Sequence, residues 1–133
     1  MIRVTLPRFG RFDAWRAAAR DLASARIPPE AVAWADPDTL PDLFGADPAP
    51  PPGDHPVTAT QEFLQLARQV ASHSDPERWS LLYAALMRAQ ADRRFLSNPA
   101  DPLLDRLSRM AKSVRRDIHK MHAFVRFHEL PSE

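Results

Sequence analysis

Asp117, His119 and His122 fall within the short segment RRDIHKMH, and together they offer groups that can accept and donate a proton near neutral pH. Asp101 offers a further carboxyl. These residues permit acid–base chemistry in principle, but no Gly-rich phosphate loop, nucleophile elbow or paired-carboxylate motif accompanies them. His119 and His122 are three positions apart and so share one helix face, with His128 beyond them. A metal site needs further ligands, and no adjacent carboxylate completes a recognised pattern. The sequence therefore assigns neither a metal nor a cofactor. It leaves these histidines as hydrogen-bonded structural groups or phosphate contacts. His73 reads as a core or loop-anchoring histidine, and His55, in a proline-rich loop, has no evident role.

The same stretch carries a second chemistry, that of cations facing a polyanion. Between Arg88 and His128 ten Arg or Lys stand against four Asp (10 − 4 = +6), although the whole chain has a formal net charge of only +1. Arg106, Arg109, Lys112, Arg116 and Lys120 recur at helical spacing, and Arg115 and Arg126 add to the run. A guanidinium presents a planar fork suited to bidentate phosphate contact. Asp105 and Asp117 are too few to neutralise the run. The expectation is that Arg109, Lys112, Arg115, Arg116, Lys120 and Arg126 contact nucleic-acid phosphates, with His119 and His122 as polar partners. Such contact gives salt-dependent affinity and little sequence discrimination. The bland alternative is a solvated face balanced by nearby acids.

These residues need a helix beneath them. Asp101 followed by Pro102 is a helix-start signal, and Leu103, Leu107, Met110, Val114, Ile118 and Met121 then recur at steps of three and four. That apolar stripe faces the core while the cations face outward. Phe124, Val125 and Phe127 read as a short strand over 124–128, an edge or interface segment for a protein partner. Upstream, Phe63, Leu66, Ala67 and Val70 predict a helix beginning near Thr60. Ser74, Asp75, Pro76 and Glu77 form a capping box for the next, whose broad face carries Trp79, Leu82, Tyr83, Leu86 and Ala89.

The N-terminal part, residues 1–34, reads as strand, helix, strand. Ile2, Val4 and Leu6 share one face of an extended segment. Asp13 caps a helix carrying Phe12, Trp15, Ala19 and Leu22, and IPPE closes the loop before the strand AVAW at 31–34. Trp15 and Trp34 belong to the core. Residues 35–54 hold five Asp and no base, and PAPPPGDHP excludes a regular helix. Residues 35–59 are therefore an acidic, proline-rich loop between the first unit and a helical region over 60–123.

The length of 133 residues suits one domain, and 44% apolar content supports a modest core. With no cysteine, the chain can form no disulfide, thiolate zinc site or cysteine-ligated iron–sulphur cluster. The start, MIRVTLPRFGRF, lacks the apolar core of a secretion signal, and no run of about 18 apolar residues exists. A cytoplasmic protein without membrane attachment is expected.

The segments VASHSDPERWSLLYAALMR (70–88), NPADPLLDRLSRMAKSVRRDIHKMHAFVRFHE (98–129) and IPPEAVAW (27–34) resemble an uncharacterised bacterial family assigned to DNA metabolism and repair. The likeness is closest at RRDIHKMHAFVRF and spans most of the chain except the acidic loop. Members of that family occur alone, beside a radical-SAM protein with a helix-hairpin-helix element, or ahead of a uracil-DNA glycosylase-like domain that captures uracil-containing DNA. The carried-over motif comprises Arg115, Arg116, Asp117, His119, Lys120, Met121, His122, Phe124, Arg126 and Phe127, and the resemblance gives none of them a role. Family members continue with further strand and helix material where this chain stops at LPSE, which implies a short member, a divergent one, or the N-terminal piece of a longer protein.

The resulting expectation is an α+β, mainly helical chain acting as a nucleic-acid-binding accessory module in DNA repair. Its rivals are a docking module for a radical-SAM or glycosylase-like partner, and part of an enzyme using Asp117 with His119 or His122.

Overall fold

The computed structural model describes residues 2–35 and 51–129, with side chains as far as Arg116. Two short strands, β1 (Ile2–Thr5) and β2 (Val32–Ala35), pair in parallel, and α1 (Arg11–Ser24) connects them. Three further helices follow: α2 (Gln61–Ala71), α3 (Arg78–Ala91) and α4 (Pro102–Glu129). The fold is α+β, with a small strand–helix–strand unit and a predominance of helix, as the periodicities predict.

In the parallel pair Ile2 stands beside Val32 and Val4 beside Trp34. Two strands alone cannot bury both faces of a sheet, so the apolar face must be covered by helices. Trp15, Ala19 and Leu22 of α1 and Trp79, Leu82, Tyr83 and Leu86 of α3 are all buried. Trp15 is the joint: its ring stacks on Trp79 at 6.3 Å and tilts against Trp34 at 6.1 Å. Its indole N–H donates to the Trp79 carbonyl at 3.2 Å. Tyr83 reaches the other way and donates to the Ile27 carbonyl at 2.7 Å, and burial pushes its hydroxyl pKa up to about 12. Both expected core tryptophans are in the core.

Local chemistry corrects several helix starts. Asp13 does not cap α1 but sits in its first turn; the N-cap is Gly10, which adopts the left-handed conformation at φ 68°. Ala31 belongs to a 3-10 turn, so β2 begins one residue later than expected. At α3 the Ser74 capping box does not form: the N-cap is Glu77, without a side-chain cap, and in the turn before it the Asp75 carboxylate accepts from the Glu77 N–H while its carbonyl accepts from the Arg78 N–H. His73 does anchor this loop, its Nδ1 accepting from the Asp75 N–H at 3.0 Å. Thr60 caps α2 through its hydroxyl, which accepts from Phe63 N–H at 3.1 Å.

The strand expected over 124–128 is overturned, because α4 runs unbroken to Glu129. The alternation in FVRF fits a period of two, yet no Gly or Pro interrupts the chain between Pro102 and Pro131 to end the helix. Helix propagation adds one hydrogen bond per residue, so a helix without a stop signal continues.

The proline-rich stretch is described from Pro51 onward and has no regular structure up to Thr60. Gly53 donates to the Ser24 hydroxyl and His55 N–H to the Ser24 carbonyl, which lays this segment on the end of α1. A Cβ at Gly53 would lie 2.2 Å from the Ser24 carbonyl oxygen and 2.7 Å from the Ala25 Cα. Both obstacles are backbone. Gly53→Ala is therefore expected to destabilise the fold by about 1–3 kcal/mol, measured as a lower denaturant midpoint with an unchanged slope.

Candidate functional site

Arginine is abundant here, and the structure divides its arginines by what they touch. Arg78 is buried: its Nε donates to the Ala71 carbonyl at 3.1 Å and Nη1 to the Asp75 carbonyl at 2.9 Å. It thus satisfies carbonyls left open at the end of α2 and in the turn that follows. Arg88 pairs with Asp101 and lies over the Phe95 ring at 5.1 Å. Arg106 pairs with Glu77 at 3.0 Å and Asp75 at 3.5 Å. Arg109 pairs with Asp105 at 3.0 Å, one turn back on α4. These four serve the fold or neutralise a neighbour.

Lys112, Arg115 and Arg116 differ. All three are exposed, and none has an ion pair among the described residues. Spacings of three and four place them on one arc of α4, with Arg109 a turn earlier. Beneath them Leu104, Leu107, Met110, Ala111 and Val114 are buried. Leu103 is only partly buried, so the core stripe is turned slightly from the one expected. Arg109, Lys112, Arg115 and Arg116 thus lie where the spacing predicts. Lys120 and Arg126 stand on the helical continuation of α4, but their side chains fall outside those described, as do those of Asp117, His119, His122, Phe124, Val125 and Phe127.

Lys112 and Arg115 also border a groove of about 620 Å³ between α2, α4 and the turn that joins α3 to α4. Leu66, Leu96 and Leu104 contribute apolar surface, and Gln65, Gln69 and Ser108 contribute polar groups. Glu62 and Asp105 supply acids, the latter already paired with Arg109. The groove is therefore mixed in character, with its unpaired cations contributed by α4. Sequence reasoning missed the α2 side. Gln65 and Gln69 share a face by spacing, but nothing local says that this face meets α4. It also passed over Arg93 and Arg94, exposed after α3 and without ion pairs among the described residues.

Asp101 is a helix cap held by an arginine. Its carboxylate accepts from Leu103 N–H at 3.0 Å and Leu104 N–H at 3.4 Å, and it pairs with Arg88. Burial pushes this carboxyl up, but the Leu104 and Leu103 amides and the Arg88 guanidinium together pull it below the usual carboxylate value. It is ionised at neutral pH and suited to starting α4, not to donating a proton. Among the described residues no three His, Asp or Glu side chains gather into a metal site, and no helix is long and apolar enough to cross a membrane.

Residues 76–133 match a family model described as a domain of unknown function, DUF4130. That stretch takes in α3, the following turn and α4, and leaves out the strand–helix–strand unit and α2. No curated protein and no solved structure matches the chain.

The Asp101 geometry sets a pH dependence. A carboxyl whose pKa is lowered on folding stabilises the protein fully above its unfolded value of about 3.9, and loses that contribution as pH falls through the folded value. Asn at this position keeps an acceptor for the backbone amides and loses the charge facing Arg88. Asp101→Asn should unfold more easily than the parent at neutral pH. The difference should be constant above about pH 5 and shrink as pH falls below about 4, as followed by denaturant unfolding across that range.

Proposed function

We propose that this chain is a nucleic-acid-binding accessory module of DNA metabolism or repair, working in the cytoplasm and contacting phosphates through the cationic arc of α4. The observation that carries this reading is the contrast on one helix. Arg106 and Arg109 are neutralised by acids, whereas Lys112, Arg115 and Arg116 are exposed and without ion pairs among the described residues. Unpaired cations on a rigid element cost self-repulsion unless an anion completes them. Their spacing gathers them on one side of the helix.

The work of this face is positioning. Phosphate contacts supply affinity and orientation without reading sequence, so any selectivity for a lesion belongs to an associated protein. The resemblance suggests a radical-SAM or uracil-DNA glycosylase-like partner. Lys120 and Arg126 extend the cationic sequence further along α4, and His119 and His122 would add polar contacts.

Fluorescence anisotropy with labelled DNA tests the reading. Binding should weaken as salt rises, and the Lys112→Ala/Arg115→Ala/Arg116→Ala variant should bind more weakly with a salt slope shallower by about 2–3. A folded parent protein that binds no DNA at low salt, or a triple variant with undiminished affinity, would refute it and turn the search to a protein partner for this face.

A further inference from the structure

The groove between α2 and α4 carries charge that is sorted along its length. Phe63, in the first turn of α2, lines one cavity with Leu96, and Leu96 lines the groove together with Leu104, in the first turn of α4. Both helices therefore start from the same end of the groove and run along it in the same sense. Glu62 and Asp105 stand at that end. Lys112 and Arg115 lie two to three turns further down α4, about 10–15 Å away at the rise of an α-helix.

These four charges sum to zero, yet they do not cancel. Asp105 is paired with Arg109, whereas Glu62, Lys112 and Arg115 have no ion pair among the described residues. One free carboxylate is thus left at the head of the groove and two free cations at its foot. On the α2 side Gln65 and Gln69 stand one turn apart, with Gln69 half-buried, and neither side-chain amide has a hydrogen-bond partner among the described residues. A partly desolvated amide gains from a partner that completes it. Leu66, Leu96 and Leu104 supply the apolar surface, and no aromatic ring is among the described lining residues. A ligand is held here by its polar edge and its charge, without stacking.

We propose that this groove takes one unpaired nucleotide of a single strand whose base carries an exocyclic amino group, an inference that rests on the nucleic-acid reading of the α4 face. A nucleotide has the polarity of the groove, with an anionic phosphate at one end and N–H donors on the base edge at the other. Lys112 and Arg115 take the phosphate, and the leucines cover the base. Glu62 accepts from the amino group, as carboxylates accept from cytosine N4. Each glutamine amide offers both a donor and an acceptor to the rest of the edge. Thymine presents a carbonyl where cytosine has its amino group, and that oxygen meets the Glu62 carboxylate unfavourably. The volume of about 620 Å³ lies within the range of about 300–1,000 Å³ common to sites for small molecules. In a duplex the base edges are already paired, so only the phosphates engage.

The test is anisotropy with labelled oligocytidylate, oligothymidylate and an abasic strand of equal length, on the parent, Glu62→Ala, Gln69→Leu and Lys112→Ala/Arg115→Ala, all checked for folding by circular dichroism. The parent should bind cytidylate at least about fivefold more tightly than thymidylate, and Glu62→Ala should bring the two within about twofold without weakening the abasic strand. Gln69→Leu should weaken cytidylate but not the abasic strand, and the double cation variant should weaken all three. Equal binding of all strands by the parent, or a cytidylate preference that survives Glu62→Ala, would overturn the groove site and leave the α4 reading intact. Cytidine 5′-monophosphate binding as tightly as the strand would overturn the strand as ligand in favour of a free nucleotide. Absence of binding to any strand by the folded parent would remove both readings.

Discussion

The bond from the Trp15 indole to the Trp79 carbonyl, with the ring stacking around it, joins two units that neither could stabilise alone. A two-stranded parallel sheet with one helix has too little apolar surface to fold independently, and it needs a second layer. α3 supplies that layer through Trp79, Leu82 and Tyr83 on the side of α1 and β2, and it also packs against α2 and α4. α2, α4 and the turn that leads into α4 all pack against α3. The cations of α4 stand on a helix whose inner face is buried against this assembly. A truncation of Trp15 would empty the side chain that meets both Trp34 and Trp79, a change that typically costs about 3–5 kcal/mol.

Charge is distributed with the same logic. Arginine serves as mortar where carbonyls or carboxylates are left over: Arg78 at the end of α2, Arg88 against Asp101, Arg106 against the turn before α3. A guanidinium can satisfy several acceptors at once, so it suits helix junctions. Lys112, Arg115 and Arg116 on α4, and Arg93 and Arg94 before it, are exposed and without ion pairs among the described residues, as are Arg16, Arg20, Arg26 and Arg68 elsewhere. Fold and field are therefore separable here. A substitution at Arg88 should be felt in stability, and one at Arg116 in binding.

Periodicity made the helices and the strand–helix–strand unit legible, since each buries one continuous stripe. It could not place the caps, because Ser74 and Glu77, or Gly10 and Asp13, are told apart only by where the backbone turns into the helix. It also mistook Phe124–Phe127 for a strand, since a short alternating run says less than the absence of a helix stop. The α4 cations were visible as a run, but the ion pairs that divide them join residues as distant as Asp75 and Arg106.

The most direct measurement is an amide chemical-shift footprint of the ¹⁵N-labelled chain during titration with a short single-stranded oligonucleotide. Saturable shifts concentrated at Lys112–Arg116 of α4, fading as salt is raised, are the predicted result. Shifts confined to other surfaces, or none at concentrations well above those at which cationic modules bind, would contradict it.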